Sequence, residues 1–187
     1  LSFGFETAYF RFSAEEDNEK KTFNTSFWFL FSTSTLFLAL CYLFNQPIAD
    51  YAGYHDNPEY IRWFAMIAFF DNLLVIPFAW LRFHNKPIKY SAVRVVQAIF
   101  QAVFTAALFF WIPENISRSM GLDQNVDYPF FSNLAGSALG FLLLLAIILK
   151  VRFQFVTSLF GRMIKYSFPL MLAGLAFMVN ENFDKSI

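Results

Sequence analysis

One acidic residue, Asp71, falls near the middle of a long apolar run, with Asn72 beside it. A charge at the centre of a bilayer costs roughly 2.5–3.5 kcal/mol on insertion scales, so something must offset it. The candidates are a proton or ion site, a cavity contact to substrate, or a structural hydrogen-bond partner on a neighbouring helix. Pro77 follows in the same run, where the missing N–H would kink a helix and free a carbonyl that a cavity could use. A second pattern is formed by Tyr90, Arg94, Gln97, Gln101 and Thr105. Their spacings of four, three, four and four align them on one helical face. A polar stripe of that length does not suit lipid, and it lines either a helix interface or a water-filled cavity. The Arg94 guanidinium offers a bidentate grip on phosphate, or else snorkels to headgroups from one turn inside the span.

Other polar residues carry weaker signals. Ser132, Asn133, Gly136, Ser137 and Gly140 place small side chains on one side of a helix, including a Gly-x-x-x-Gly spacing. Close helix packing is the first reading of that face and substrate contact the second. Asn180, Glu181, Asn182 and Asp184 come about 21–27 Å along a helix starting at Tyr166. There they form either a cation or proton site or a polar cap. Near the start, Arg11 lies one turn after Thr7 and either anchors to headgroups or faces a cavity entrance. His55 and His84 have no companions at metal-ligand spacing, and no nucleotide-binding, nucleophile-elbow or zinc-protease signature occurs. No catalytic residue, metal or cofactor is assigned, and the pattern favours a transporter or membrane scaffold over an enzyme.

The elements that must position these residues follow from hydropathy. The chain has 187 residues, 57% of them hydrophobic and 21% aromatic, with mean hydropathy +0.45, more apolar than a soluble domain. Four runs, 23–44, 60–81, 91–112 and 129–149, approach the ~20 residues that cross a bilayer. Residues 1–12 read as the end of an earlier span and 166–187 as the start of another. Eleven of the fourteen Lys and Arg fall in 11–21, 82–94 and 150–165. The turns 46–59 and 113–128 hold six acids against Arg118 alone. By the positive-inside rule the acidic turns face outward. Trp28 and Trp80 then mark inner span ends and Trp63 and Trp111 outer ones, where an indole buries its ring and hydrates its N–H. Cys41 has no partner for a disulfide. The stretch PIADYAGY suits a brief interfacial helix, and 150–165 an amphipathic, basic linker along the inner surface. With neither an initiator Met nor a signal segment at Leu1, the chain reads as an internal stretch of a longer protein.

Four stretches carry a resemblance: GFETAYFRFS, FNQPIADYAGYHDNPEYIRWFA, IPFAWLRFHNKPIKYSAVRVVQ and FGRMIKYSFPLMLAGLAFMVNENFDK. In order and helix spacing the chain resembles the polysaccharide-biosynthesis branch (O-antigen or lipopolysaccharide exporters) of the multidrug/oligosaccharidyl-lipid/polysaccharide flippase superfamily, in forms common in Bacteroidetes. The resemblance implies an all-α polytopic transmembrane helix bundle, about one incomplete lobe of a two-lobe MATE-like flippase. The chain would run from the end of the second helix to the start of the seventh, with 1–149 in the first lobe, 150–165 a cytoplasmic linker and 166–187 opening the second lobe. The implied function is translocation of a polyprenyl-pyrophosphate glycan from inner to outer leaflet of a bacterial inner membrane, by alternating access.

That task needs cations and hydrogen-bonding groups in a cavity. Arg94 and Arg11 are candidates for pyrophosphate, with Gln97, Gln101 and Asn133 for sugar hydroxyls or water. Asp71, Glu181 and Asp184 are candidates for a coupling proton or sodium ion. The expected partners are lipid-linked oligosaccharide, membrane lipids and components of a glycan-assembly complex, with no nucleic acid. Two alternatives stay open: a multidrug or cation antiporter of the same superfamily, and a non-transporting scaffold for glycan assembly. A glycan polymerase or acyltransferase fits less well, since the outer loops are short.

Overall fold

The computed structural model describes residues 2, 4–15, 19–55, 57–110 and 127–184, with the backbone alone described at 175 and 178–184. These residues form an all-helical bundle: α1 (Phe5–Glu15), α2 (Glu19–Leu43), α3 (Asn45–Ala52), α4 (Glu59–Phe83), α5 (Pro87–Phe110), α6 (Asp127–Ile148) and α7 (Thr157–Asp184). Four of them, α2, α4, α5 and α6, are long and apolar enough to cross a membrane. At 22 to 25 residues each, they extend about 33–38 Å, slightly more than a hydrocarbon core. This is the architecture of a multi-pass membrane protein.

The bundle is built around α4. It packs against α2 on one side and α6 on the other, and α5 lies against α6 and more lightly against α4. In its most apolar stretch 56% of α4 is buried, against 6% for α5. Helix α4 is therefore the protein-covered centre, whereas α5 offers most of its surface outward, including Val95, Ile99, Val103 and Phe110. The short α1 crosses α2, α4 and α7, and buries Phe5, Tyr9 and Phe12 among Phe23, Leu30, Ile76, Leu159 and Met163.

Local sequence explains the joints. Helix α3 stops at Gly53, whose φ of 81° is open to glycine. The Gly53 N–H donates to the Asp50 carbonyl at 3.4 Å and the Tyr54 N–H to that of Ala49 at 2.8 Å, the paired closure of a Schellman turn. Between α4 and α5, Asn85 takes a φ of 51°, which asparagine tolerates, and Pro87 opens α5 where its missing N–H costs nothing. Helix α3 lies two residues earlier than the interfacial helix expected at PIADYAGY.

The linker differs from expectation. Residues 149–156 are non-helical, and α7 starts at Thr157 and continues through Pro169. Helix 157–165 does not simply coat a surface, because Leu159 and Met163 are buried against α1. The non-helical stretch is held by α2. The Trp28 Nε1–H donates to the Arg152 carbonyl at 3.0 Å, Asn24 Oδ1 accepts from the Arg152 N–H at 3.1 Å, and Thr25 Oγ1 accepts from the Val156 N–H at 3.2 Å.

Candidate functional site

Helix α4 carries two adjacent polar residues that point to different neighbours, because consecutive positions on a helix lie about 100° apart. Asn72 turns toward α2. Its Nδ2 donates to Ser34 Oγ, with the Leu30 carbonyl at 3.5 Å, and both Asn72 and Ser34 are buried. Asp71 turns toward α6, where Ser137 Oγ donates to Asp71 Oδ1 at 2.7 Å. A hydroxyl thus meets one lone pair of the carboxylate, and the remaining acceptors face a cavity.

That cavity, about 270 Å³, lies where α4, α5 and α6 meet, and is lined by Asp71, Arg94, Gln97, Ala98, Gln101, Asn133, Gly136 and Ser137. Five residues singled out for different roles, Asp71, Arg94, Gln97, Gln101 and Asn133, therefore line one cavity. The glycines of α6 make the approach close. Gln97 Nε2 donates to the Gly136 carbonyl at 3.2 Å. The Gln97 amide lies directly against Gly140, where an added Cβ would sit 2.6 Å from Gln97 Cδ and 3.1 Å from Leu74 Cδ1. Gln97 Oε1 is buried without a hydrogen-bond partner among the described residues. An orphaned acceptor of this kind costs about 1–3 kcal/mol, and rotation of the amide toward a donor in the cavity would relieve it.

Arg94 enters the cavity from α5, with its Cζ 4.1 Å from the centre of the Phe78 ring. The aromatic face supports the guanidinium without consuming its N–H donors, which stay available to an acceptor. Asp71 and Arg94 share the cavity but do not approach within ion-pair distance; the ion pairs of the described residues lie elsewhere. One site thus offers a cation, an anion and several neutral hydrogen-bonding groups, none of which neutralises another.

The polar stripe does not enter the cavity along its full length. Tyr90 packs edge-on to Phe78 with ring centres 5.2 Å apart, and the Thr105 hydroxyl folds back to the Gln101 carbonyl at 2.8 Å. Arg11 also stays apart. It pairs with Glu15 at 3.0 Å and lies 4.4 Å from the centre of the Tyr166 ring, because α1 packs on α2, α4 and α7. The side chains of Glu181 and Asp184 lie outside the described residues.

Sequence reasoning gave Ser137 and Gly136 a packing role and did not connect them with Asp71. Their spacing with Asn133, three and four residues on, was the available signal. On the opposite flank of the α5–α6 pair is an apolar groove of about 410 Å³, lined by Val96, Ile99, Phe100, Val103, Phe104, Ala107 and Leu139. A polar cavity and an apolar groove are therefore separated by the width of one helix.

Comparison of the chain with protein-family models, curated proteins and solved structures returns no match, so its functional reading rests on the chemistry of this cavity.

Proposed function

We propose that this chain belongs to a membrane transporter that moves an anionic, sugar-bearing lipid between leaflets, a lipid-linked oligosaccharide flippase of the polysaccharide-export kind that the sequence resembles. The observation that carries the reading is the cavity at the meeting of three helices, where Arg94 offers unpaired donors beside Gln97, Gln101 and Asn133. A pyrophosphate needs such a cation, and sugar hydroxyls need amides that both donate and accept. The groove on the other side of α5 suits the hydrocarbon part of the same molecule. In this reading Asp71 carries the coupling proton or cation, the basic ends of the helices face the cytoplasm, and the membrane is a bacterial inner membrane.

The test is the leaflet distribution of lipid-linked oligosaccharide in cells lacking the gene, complemented with wild type or Arg94→Ala. The expected result is inner-leaflet accumulation rescued by wild type and not by the variant. An unchanged distribution in the deletion strain, with no redundant flippase, sinks the proposal.

The carboxylate of Asp71 favours one second reading, an antiporter for amphipathic cations. It predicts that Asp71→Asn abolishes efflux of cationic drugs while glycan export is untouched. A scaffold role predicts that neither substitution affects transport.

A further inference from the structure

The central cavity leaves unused a second cluster at the basic end of the bundle. Trp80 lies in the last turn of α4, and an indole at the end of a membrane-spanning helix favours the headgroup level. Two ammonium groups from separate connections converge on its ring. Lys86 Nζ, from the elbow before α5, is 4.5 Å from the ring centre, and Lys150 Nζ, from the segment after α6, is 6.0 Å away. The two nitrogens are thus no more than 10.5 Å apart.

Neither lysine has a carboxylate within 4.0 Å among the described residues. The neighbouring acid, Glu19, is directed to His84 Nε2 at 3.4 Å, and the His84 ring lies 4.1 Å from that of Trp80. Two ammonium groups converging on one ring without a carboxylate partner make a local positive potential that favours an anion between them. Its placement is not accidental to a loose loop, since side chains of α2 hold the segment just after Lys150 through Arg152 and Val156. Leu149 and Phe153, 75% and 85% exposed, flank the lysines with apolar surface at the same end. A cationic pair beside an indole and exposed apolar side chains matches an amphiphile, with phosphate at the lysines and acyl chains along the hydrocarbon.

We infer that Lys86, Lys150 and Trp80 form a binding site for the headgroup of an anionic phospholipid, separate from the central cavity and independent of what that cavity transports. The energetic scale of such a site is set by the attraction of each lysine for an anionic surface, roughly fivefold in affinity per residue.

The test uses the full-length protein in zwitterionic detergent at low ionic strength. Retention of phosphatidylglycerol, phosphatidylcholine and inorganic phosphate is compared by native mass spectrometry and tryptophan fluorescence titration. Phosphatidylglycerol is expected to be retained at least tenfold more tightly than phosphatidylcholine. Lys86→Gln and Lys150→Gln should each weaken it about fivefold and together about 30-fold, whereas the arginine pair K86R/K150R, which preserves both charges, should retain binding. The control K20Q/K21Q removes the same charge from the same end of the bundle and should change affinity less than twofold. Three outcomes overturn the inference: an equal loss in the control pair, which would mean a diffuse field; equal affinity for inorganic phosphate, which would mean that no lipid is required; or full retention in K86Q/K150Q.

Discussion

Substitution of Gly140 by alanine is the sharpest probe of how the cavity wall is assembled. The new methyl would sit 2.6 Å from Gln97 Cδ and 3.1 Å from Leu74 Cδ1, whereas carbon atoms pack at about 3.5–4.0 Å. Gln97 must therefore move by about 1 Å or more, and its 3.2 Å bond to the Gly136 carbonyl would not survive that shift. Interhelical hydrogen bonds in membranes average about 0.6 kcal/mol and reach about 1.7, and overpacking adds about 1–3 kcal/mol. The displaced atoms are the free end of a flexible side chain with a cavity to turn into, so the expected destabilisation is at the low end of these ranges, about 1–2 kcal/mol, measured by equilibrium unfolding in mixed micelles. Because most of the clash is with one side chain, Gln97→Ala should absorb much of it. The double variant should be less destabilised than the sum of the singles by at least about 1 kcal/mol, beyond the scatter of additive sites. Strict additivity would refute the claim that Gly140 exists to seat Gln97.

Three further expectations concern other parts of the bundle. Asn72→Leu removes the buried bridge to Ser34 and the Leu30 carbonyl and should cost about 0.6–1.7 kcal/mol in the same unfolding assay, leaving ligand binding at the cavity unchanged. Hydrogen bonds from Gln46, and next from His55, hold the Asp50 carboxyl below its ordinary value. Since the folded value is depressed, this contribution is fully present above the unfolded carboxylate value, about 4, and is lost as pH falls through the folded one. The protection factor of the Tyr54 amide, which closes α3, taken against the intrinsic exchange rate at each pH, should fall over that acidic window in wild type, and this pH dependence should flatten in Asp50→Asn. A phosphatase fused after Asp123 should be active outside the cell and one fused after Lys86 inactive; the reverse pattern would overturn the assigned orientation.

The long spans were legible because hydropathy alone sets them, and each helix runs within a few residues of its apolar run. The stripe on α5 was partly legible. Spacing places its members on one face, but from Tyr90 to Thr105 that face drifts by about 60°, and packing against Phe78 draws Tyr90 aside. What periodicity could not give was the partner of Asp71. Helix α4 is apolar around its whole circumference and covered on several sides, so no pattern along it says which neighbour a given residue meets. Only the packing of α6 on α4 brings Ser137 to that carboxylate. Arg11 shows the converse. Its chemistry suits an anion, yet α1 docks beside α7 and leaves the guanidinium with Glu15 and Tyr166.

The three hydrogen bonds from Trp28, Asn24 and Thr25 to residues 152–156 have a mechanical meaning. An eight-residue non-helical stretch between two long helices would ordinarily act as slack rope and let α7 tilt without disturbing its predecessors. Here the rope is spliced to α2 at Arg152 and again at Val156, and Met163 in α7 meets α2 once more through Ser26 Oγ at 4.0 Å. A force that swung α7 would therefore be felt at the first turns of α2. The joint is thus built as a crank rather than a tether: it couples the two helices it bridges instead of letting them move apart.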